Sequence, residues 1–191
     1  MKIGLFFGSF NPVHIGHLAI ANYFTEFSDL QQVWLVVSPQ NPFKGENMLI
    51  SEYDRFHMVE TSLAYTEKIQ PSKIEFELPK PSYTIDTLEY LSKKYPKHEF
   101  VVILGSDNLL NLHKWKNYER LITYYSLYIY PRIDVNPDEF TEKYPIHIFN
   151  APRIEISSSF IRKSIINGHN VRYFMPYKVY DYIIAKQLYT D

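Results

Sequence analysis

Two histidines stand where a predicted strand turns into a predicted helix. His14 and His17 lie in the segment GSFNPVHIGH (residues 8–17), directly after the apolar run Lys2–Phe7. Residues three apart on a helix share one face, so both imidazoles can point from its first turn into one cavity. A helix N-terminus that follows a strand also offers N–H groups to anions. The segment therefore indicates a phosphate-binding site with two imidazole donors.

The same segment argues against several common nucleotide-binding sites. It has neither the glycine spacing of the dinucleotide fingerprint nor that of the Walker A motif, which disfavours a dehydrogenase and a P-loop kinase. A zinc site is not indicated, because no third ligand lies at a suggestive spacing. The structural alternative is that His14 and His17 only cap the helix and pack against it.

A second predicted helix start combines three hydroxyl side chains with an arginine. Ser157, Ser158 and Ser159 can bind anionic oxygen through their side chains and N–H groups. Arg162 follows about one turn later, and its planar guanidinium suits a bidentate grip on a β- or γ-phosphate. Taken alone, the pattern fits a serine N-cap with a solvated Arg-Lys pair equally well. Together with the histidine segment, it favours a triphosphate site.

Apolar runs and helical spacing alternate along the chain. The runs are rich in β-branched and aromatic residues, as in strands that are buried on both faces. The predicted strands are Lys2–Phe7, Val33–Val37, Phe100–Leu104 and Leu127–Tyr130. The predicted helices are Gly16–Phe27, Glu52–Tyr65, Thr84–Tyr95, Phe160–Ile166 and Pro176–Leu188. The alternation predicts an α/β fold, a Rossmann-like three-layer α/β/α sandwich with a mainly parallel sheet.

Local signals place some boundaries. Ser51 is a natural N-cap for the second helix, with Asp54 at the capping-box position. The stretch Pro131–Tyr144 is polar and turn-rich, and it predicts a surface excursion. We expect a single domain over residues 1–191, with a C-terminal helical portion from about residue 157.

The composition is that of an ordinary globular protein. Hydrophobic residues make up 46% of the chain, charged residues 21%, and the formal net charge is −1. Nothing in this balance draws the whole molecule to nucleic acid or to a membrane, so an anion site must be built locally. The absence of cysteine excludes disulfides and cysteine nucleophiles, and a cytoplasmic location is the default expectation. The apolar N-terminus is interrupted by Gly8 and predicts a buried first strand, not a signal peptide.

The two helix starts resemble the HxGH and ISSTxIR motifs of the nucleotidyltransferase superfamily. Its members move a nucleotidyl group from a triphosphate onto a phosphate or an alcohol. Ser159 stands where threonine is usual, which keeps the hydroxyl. The resemblance implies a fold of nucleotidyltransferase type and catalytic roles for His14, His17 and Arg162. It also implies nucleotide contacts from Gly8, Ser9, Phe10, Gly16, Ile156, Ser157, Ser158 and Ser159.

The middle of the chain resembles the bacterial nicotinate-nucleotide adenylyltransferases. Residues 81–88 (PSYTIDTL) match the SYTxDTL segment of that family, and residues 105–109 (GSDNL) match its GxDxL segment. The resemblance implies that Lys44 binds phosphate and takes part in catalysis, that Asp107 faces the nucleotide, and that Trp115 stacks on a pyridine ring. The remaining residues that it assigns to substrate or nucleotide are Asn41, Tyr83, Thr84 and Gly105. The chain departs from the family pattern at Phe7, Asn11 and Phe43.

The resemblance implies transfer of the adenylyl group of ATP to nicotinate mononucleotide, giving deamido-NAD and pyrophosphate. Mg²⁺ would accompany ATP and bind mainly through phosphate oxygens and water, without a protein metal site. The chain could form a homo-oligomer. Three alternatives share the motifs: a nicotinamide-mononucleotide adenylyltransferase, a pantetheine-phosphate adenylyltransferase and a nucleotide sensor without turnover.

Overall fold

Six parallel strands form the centre of the molecule. The computed structural model describes residues 1–40, 49–63, 66–132 and 135–190. The sheet has the order β3-β2-β1-β4-β5-β6, and every neighbouring pair is parallel. The strands are β1 (Lys2–Gly8), β2 (Gln32–Val37), β3 (Ile69–Ser72), β4 (Glu99–Gly105), β5 (Ser126–Tyr130) and β6 (Ile146–Ile148). The predicted first strand is β1, and it lies in the middle of the sheet.

Helices connect the strands and cover the sheet. They are α1 (Ile15–Phe27), α2 (Glu52–Ser62), α3 (Thr84–Lys94), α4 (Tyr118–Tyr124), α5 (Ser158–Ile166) and α6 (Tyr177–Ala185). Short 3₁₀ segments occupy Ile74–Glu77, Ser106–Lys114, Pro137–Phe140 and Arg172–Phe174. Within the described part of the chain, no helix combines the length and the apolar character needed to cross a membrane.

The core is divided into two clusters because alternate side chains of a strand point to opposite faces of the sheet. On β4, Val101 and Ile103 join one cluster with residues of α1, α2, α5 and α6. Val102 and Leu104 join the other cluster with residues of α3 and α4. Helices therefore lie on both faces, which confirms the predicted three-layer α/β/α sandwich.

The sequence does not predict three short elements, which are β3, β6 and α4. β6 has three residues, and β3 contains Pro71, so neither produces a recognisable apolar run. α4 has seven residues, too few for a clear helical period. The second helix ends at Ser62, earlier than the predicted Tyr65, which lies outside the described residues.

The boundary signals are realised in part. Ser51 is the N-cap of α2, and its hydroxyl accepts a hydrogen bond from the Tyr53 N–H. The Asp54 carboxylate accepts a hydrogen bond from the hydroxyl of Tyr182 on α6 at 2.6 Å, so it joins two helices. The predicted excursion after β5 is mostly exposed, but Pro137 and Tyr144 are buried, and Tyr144 enters the core cluster under α3 and α4.

The strand order reverses between β1 and β4. In open α/β sheets the loops at the carboxyl ends of two such strands diverge and leave a crevice between them. Here β1 ends at Gly8 and β4 ends at Gly105. The fold thus places the histidine segment beside the GSDNL segment.

Candidate active site

A cavity of about 610 Å³ lies at this crevice and collects residues from most of the chain. Among the residues with predicted site roles, its lining includes Gly8, Ser9, Phe10, His14, His17, Tyr83, Thr84, Gly105, Asp107, Trp115, Ile156, Ser157, Ser158, Ser159 and Arg162. Gly16 lines a smaller cavity of about 350 Å³ that shares His14, His17, Asp107 and Ile156 with it. Asn41 and Lys44 lie outside the described residues.

The two imidazoles lie face to face at the start of α1. His14 is the N-cap residue and His17 the third residue of the helix, and their ring centroids are 3.7 Å apart. The His14 main-chain N–H donates to His17 Nδ1 at 3.3 Å. Because Nδ1 accepts this bond, a neutral His17 carries its proton on Nε2. Both rings line the same cavity, as their spacing predicts.

His14 is a buried and neutral imidazole at pH 7. Only 5% of the residue is exposed. Burial, together with the nearby positive charge of Arg132, lowers the pKa of His14 from its usual 6.5 to about 4. The histidine can therefore serve as a hydrogen-bonding group, while the positive charge of the described cavity lining comes from Arg132, Arg162 and Lys116.

Two glycines make room for the rings of this segment. A Cβ on Gly8 would lie 2.8 Å from the Cζ atom of Phe10, and a Cβ on Gly16 would lie 3.0 Å from His14 Nδ1. Phe10 has a φ of 46°, which is unusual for a residue with a side chain. The requirement for glycine therefore arises from the protein's own rings, in addition to any contact with a ligand.

The start of α5 is tied to the histidine segment by hydrogen bonds that span most of the chain. The Ser158 hydroxyl donates to the Pro12 carbonyl at 2.8 Å, and Arg162 Nη1 donates to the Asn11 carbonyl at 2.8 Å. Ser157 caps the helix by accepting from the Phe160 N–H. The two motifs thus form one unit, here called the α1–α5 side: His14, His17, Ser157 to Ser159 and Arg162.

The opposite wall of the cavity is formed by the start of α3 and the end of the 3₁₀ segment Ser106–Lys114. Tyr83 is the N-cap of α3 and makes no side-chain cap bond, whereas the sequence places Thr84 near the cap. First-turn N–H groups of such a helix are available to a ligand. Lys116 Nζ lies 4.7 Å from the Tyr83 ring centroid and 2.7 Å from Asp86 Oδ2. This wall, here called the α3 side, comprises Tyr83, Thr84, Trp115 and Lys116.

Asp107 also lines the cavity and lies close to Arg132. Asp107 Oδ1 is 3.9 Å from Arg132 Nε, and both side chains are about half exposed. The buried Ser106 hydroxyl accepts from the Arg132 N–H and donates to the Val135 carbonyl, which fixes the chain after β5. Arg132 was missed by the sequence analysis, although a cation at the carboxyl end of a strand next to β4 is a usable signal.

Arg55 is a second residue that the sequence analysis missed. Its guanidinium is buried, and Nη1 donates to the carbonyls of Ser9 and Ser38 at 2.7 Å each. Further bonds reach the Pro39 and Ile50 carbonyls. Burial lowers the pKa of Arg55 because the charged form loses solvation. One side chain thus holds together the loops that follow β1 and β2.

Glu75 is a buried carboxyl group in the cavity lining. It accepts a hydrogen bond from the hydroxyl of Thr87 on α3 at 2.8 Å. Burial raises the pKa of Glu75, while hydroxyls of Thr87, Ser38 and Ser82 act in the opposite direction. This buried hydrogen bond joins the 3₁₀ segment Ile74–Glu77 to α3.

Comparison with known proteins identifies the family of this site. The family model described as cytidylyltransferase-like matches residues 5–164. A Flavobacterium johnsoniae protein described as probable nicotinate-nucleotide adenylyltransferase is 50% identical and covers 99% of both chains. A Cytophaga hutchinsonii protein with the same description is 49% identical over the full length of both chains.

Solved structures show the same fold at low sequence identity. The Plasmodium falciparum nicotinic acid mononucleotide adenylyltransferase complexed with NaAD has a TM-score of 0.85, with 22% identity over 98% of this chain and 97% of that one. The same enzyme complexed with APC gives a TM-score of 0.84. Since the full-length relatives reach half identity and the family model covers most of the chain, this protein belongs to the nicotinate-nucleotide adenylyltransferase family of cytidylyltransferase-like proteins.

Proposed function

We propose that this protein transfers the adenylyl group of ATP to nicotinate mononucleotide, forming deamido-NAD and pyrophosphate in NAD biosynthesis. The observation that carries the proposal is that residues of the α1–α5 side and residues of the α3 side line one cavity. The relatives that match the chain end to end bear the name of this activity. The crevice can therefore hold two anionic substrates, one at each wall.

The reaction needs alignment more than acid–base chemistry. An oxygen of the mononucleotide phosphate attacks the α-phosphorus of ATP, and the bond from that phosphorus to the oxygen bridging to the β-phosphorus breaks. The bridging oxygen keeps the electron pair and leaves with pyrophosphate. A phosphate monoester with a second pKa of ~6 is already ionised at neutral pH, so no general base is required. The enzyme must orient two repelling anions and stabilise the charge that develops.

We assign this stabilisation to the α1–α5 side. Neutral His14 and the imidazole of His17 act as hydrogen-bond partners of the phosphates, and the α5 N-terminus offers N–H groups. Arg162 supplies positive charge next to the histidines, and Arg132 supplies it from the carboxyl end of β5. The further cation proposed for phosphate binding is Lys44, whose assignment rests on the family resemblance.

Mg²⁺ is the proposed companion of ATP. The described cavity lining contains two carboxyl groups, the half-exposed Asp107 and the buried Glu75. No cluster of three potential metal ligands occurs among the described residues. This donor set fits a cation held mainly by phosphate oxygens and water, with Asp107 as the accessible protein oxygen. When bound, Mg²⁺ neutralises phosphate charge.

We assign the pyridine ring to the α3 side. Trp115 offers a flat surface for stacking, and the first-turn N–H groups at Tyr83 and Thr84 can hold the carboxylate of nicotinate. A carboxylate accepts at both oxygens, whereas an amide would direct an NH₂ group at N–H donors. Asp107 and Gly105 are proposed to contact the nucleotide. Four expectations remain predictions from the sequence: a cytoplasmic location, the capacity to form a homo-oligomer, a single domain and the absence of nucleic-acid binding.

An acceptor screen tests the function. The purified chain is incubated with ATP and Mg²⁺ and with nicotinate mononucleotide, nicotinamide mononucleotide or 4′-phosphopantetheine, and pyrophosphate and product mass are measured. We expect the fastest pyrophosphate release and a deamido-NAD product with nicotinate mononucleotide. A faster reaction with another acceptor would overturn the proposed substrate. ATP binding without pyrophosphate release from any acceptor would favour a nucleotide sensor.

A further inference from the structure

The C-terminal segment returns to the histidine segment through one tyrosine hydroxyl. Tyr189 follows α6, and its hydroxyl donates to Oδ1 of Asn11 at 2.8 Å across 178 residues of sequence. Asn11 is 2% exposed and lies in the cavity lining between β1 and α1. The family-model match ends at residue 164, so this contact joins its first part to a segment beyond it.

The chain reaches this position by a specific reversal after α6. Gln187 and Tyr189 have φ angles of 51° and 65°, a left-handed conformation that side chains seldom adopt. The reversal is held by main-chain bonds from the Gln187 N–H to the Ile184 carbonyl and from the Leu188 N–H to the Ile183 carbonyl. Leu188 and Tyr189 then pack against the core cluster on the α1 face of the sheet. The tyrosine is therefore held by packing as well as by the hydrogen bond of its hydroxyl.

Asn11 receives hydrogen bonds from two different C-terminal elements. Tyr189 binds its side-chain oxygen, and Arg162 of α5 binds its main-chain carbonyl at 2.8 Å. The adjacent Pro12 carbonyl accepts from Ser158. Phe10, with its left-handed backbone, directly precedes this pair of residues, and His14 follows two positions after Pro12. The segment after α6 and α5 itself therefore both hold Asn11, and together they set the path of the loop between β1 and α1.

Tyr189 is suited to be a permanent donor. Burial raises the pKa of its hydroxyl above the ordinary range, while Arg162 and Arg55 act in the opposite direction. The neutral O–H can donate to the Asn11 oxygen over the whole physiological pH range.

We propose that Tyr189 is a positioning residue for adenylyl transfer: its hydroxyl fixes Asn11 and thereby the loop that carries Phe10 and His14. Its expected effect on turnover rests on the proposed function, whereas the tether itself is a property of the fold. A displaced loop would misplace imidazoles that must meet the transition state, so kcat should suffer more than the KM for ATP.

The test compares two tyrosine-to-phenylalanine variants at the C-terminus. Tyr189→Phe removes the bond to Asn11, and Tyr182→Phe removes the bond to Asp54 on α2, which does not line the cavity. Each variant loses one hydroxyl and keeps its ring. We expect Tyr189→Phe to lower kcat by about ten-fold with less than a three-fold change in KM for ATP, and Tyr182→Phe to stay within two-fold of the parent. Both melting temperatures are measured so that activity is compared in folded protein.

Two further measurements show whether the effect passes through Asn11. Tyr189→Phe should add no further loss in an Asn11→Ala background, whereas Asn11→Asp, which keeps an acceptor oxygen, should retain sensitivity to the tyrosine change. Hydrogen–deuterium exchange should become faster in peptides covering residues 8–17 in Tyr189→Phe and not in Tyr182→Phe. A parental kcat in Tyr189→Phe, or losses that add to those of Asn11→Ala, would overturn the proposal. If the parent shows no turnover, the proposed function fails, and the exchange of residues 8–17 alone decides for or against the tether.

Discussion

The two walls of the cavity are held in place by different kinds of contact. On the α1–α5 side, buried carbonyls of Asn11 and Pro12 accept hydrogen bonds from residues about 150 positions away in the sequence. On the α3 side, Lys116 is held by Asp86 and the Tyr83 ring, and the two charged side chains are each over 40% exposed. Exposed ion pairs contribute only ~0.2–1 kcal/mol. The first wall is therefore preorganised, whereas the exposed Lys116 side chain of the second wall can adapt to a ligand.

This contrast predicts where substitutions act. Changes on the α1–α5 side should reduce kcat, because preorganised donors act where charge develops in the transition state. Changes on the α3 side should alter the KM and the choice of acceptor, because that wall is proposed to hold the pyridine ring, which does not react. The following predictions test this division in order of decreasing effect.

The largest effect is expected from His17→Ala. Loss of a donor that strengthens toward the transition state should reduce kcat by ~10²-fold or more, equivalent to about 3 kcal/mol, with the fold intact. The control is His113→Ala, which removes an exposed histidine outside the cavity lining. Steady-state pyrophosphate release measures both variants. Near-parental turnover in His17→Ala would remove His17 from the catalytic residues.

The second prediction concerns stability at acid pH. Because the pKa of folded His14 is about 4 and its usual value is 6.5, the unfolded chain takes up the proton first as the pH falls. His14 should therefore cost the folded state stability progressively between pH 6.5 and pH 4, by up to roughly 3 kcal/mol. Urea unfolding across this range should show the decline in the parent and a smaller decline in His14→Gln.

The comparison with His14→Gln is needed because Glu75 changes the free energy of unfolding with pH in the opposite direction. Its pKa is raised by burial, so the folded state holds its proton longer, and stability falls as the pH rises above the usual 4.5. This contribution is common to parent and variant and cancels in their difference. An identical pH dependence in the two proteins would show that His14 takes up its proton equally in the folded and unfolded chains.

Arg162→Lys should have an intermediate effect on turnover. An ammonium cannot hold the Asn11 carbonyl and a phosphate with the planar fork of a guanidinium, so we expect kcat to fall by ~10–50-fold. Lys163→Gln removes the adjacent exposed charge and serves as the control. If Arg162→Lys keeps both kcat and the KM for ATP, the arginine does not bind phosphate and only holds the Asn11 carbonyl.

The sequence predicts the fold better than it predicts the supports of the site. Long apolar runs identify β1, β2, β4 and β5, and hence the crevice, because buried parallel strands leave a strong pattern. The resemblance selects the residues that line that crevice. Arg55 and Tyr189 escape prediction because their partners are main-chain carbonyls or an amide far away in sequence, and a single arginine or tyrosine carries no periodic signal. The Arg132 position likewise depends on which strand lies beside β4.

The smallest predicted effect is discrimination between the acid and the amide of the acceptor. Nicotinate mononucleotide should have a kcat/KM at least ten-fold above that of nicotinamide mononucleotide, equivalent to about 1.4 kcal/mol. The reason is that an amide NH₂ facing N–H donors leaves buried groups unpaired at ~1–3 kcal/mol each. In the proposed pocket, Trp115 would stack on either ring and would contribute nothing to the choice. Equal efficiencies in the parent would indicate a dual-specificity enzyme.

Two substitutions at one position separate the main-chain donor from the side chain. Thr84→Pro deletes the N–H of the first residue of α3, a position where proline is well tolerated. Tyr83 before it already has an extended backbone, with φ −121° and ψ 134°, which a following proline requires. Thr84→Ala keeps the N–H and removes only the hydroxyl. We expect Thr84→Pro to lose most of the preference for the acid and Thr84→Ala to keep it, both with a kcat for nicotinate mononucleotide close to that of the parent. Retained preference in Thr84→Pro would place the carboxylate elsewhere in the cavity, and a large loss of kcat in both variants would show that the α3 side is as preorganised as the α1–α5 side.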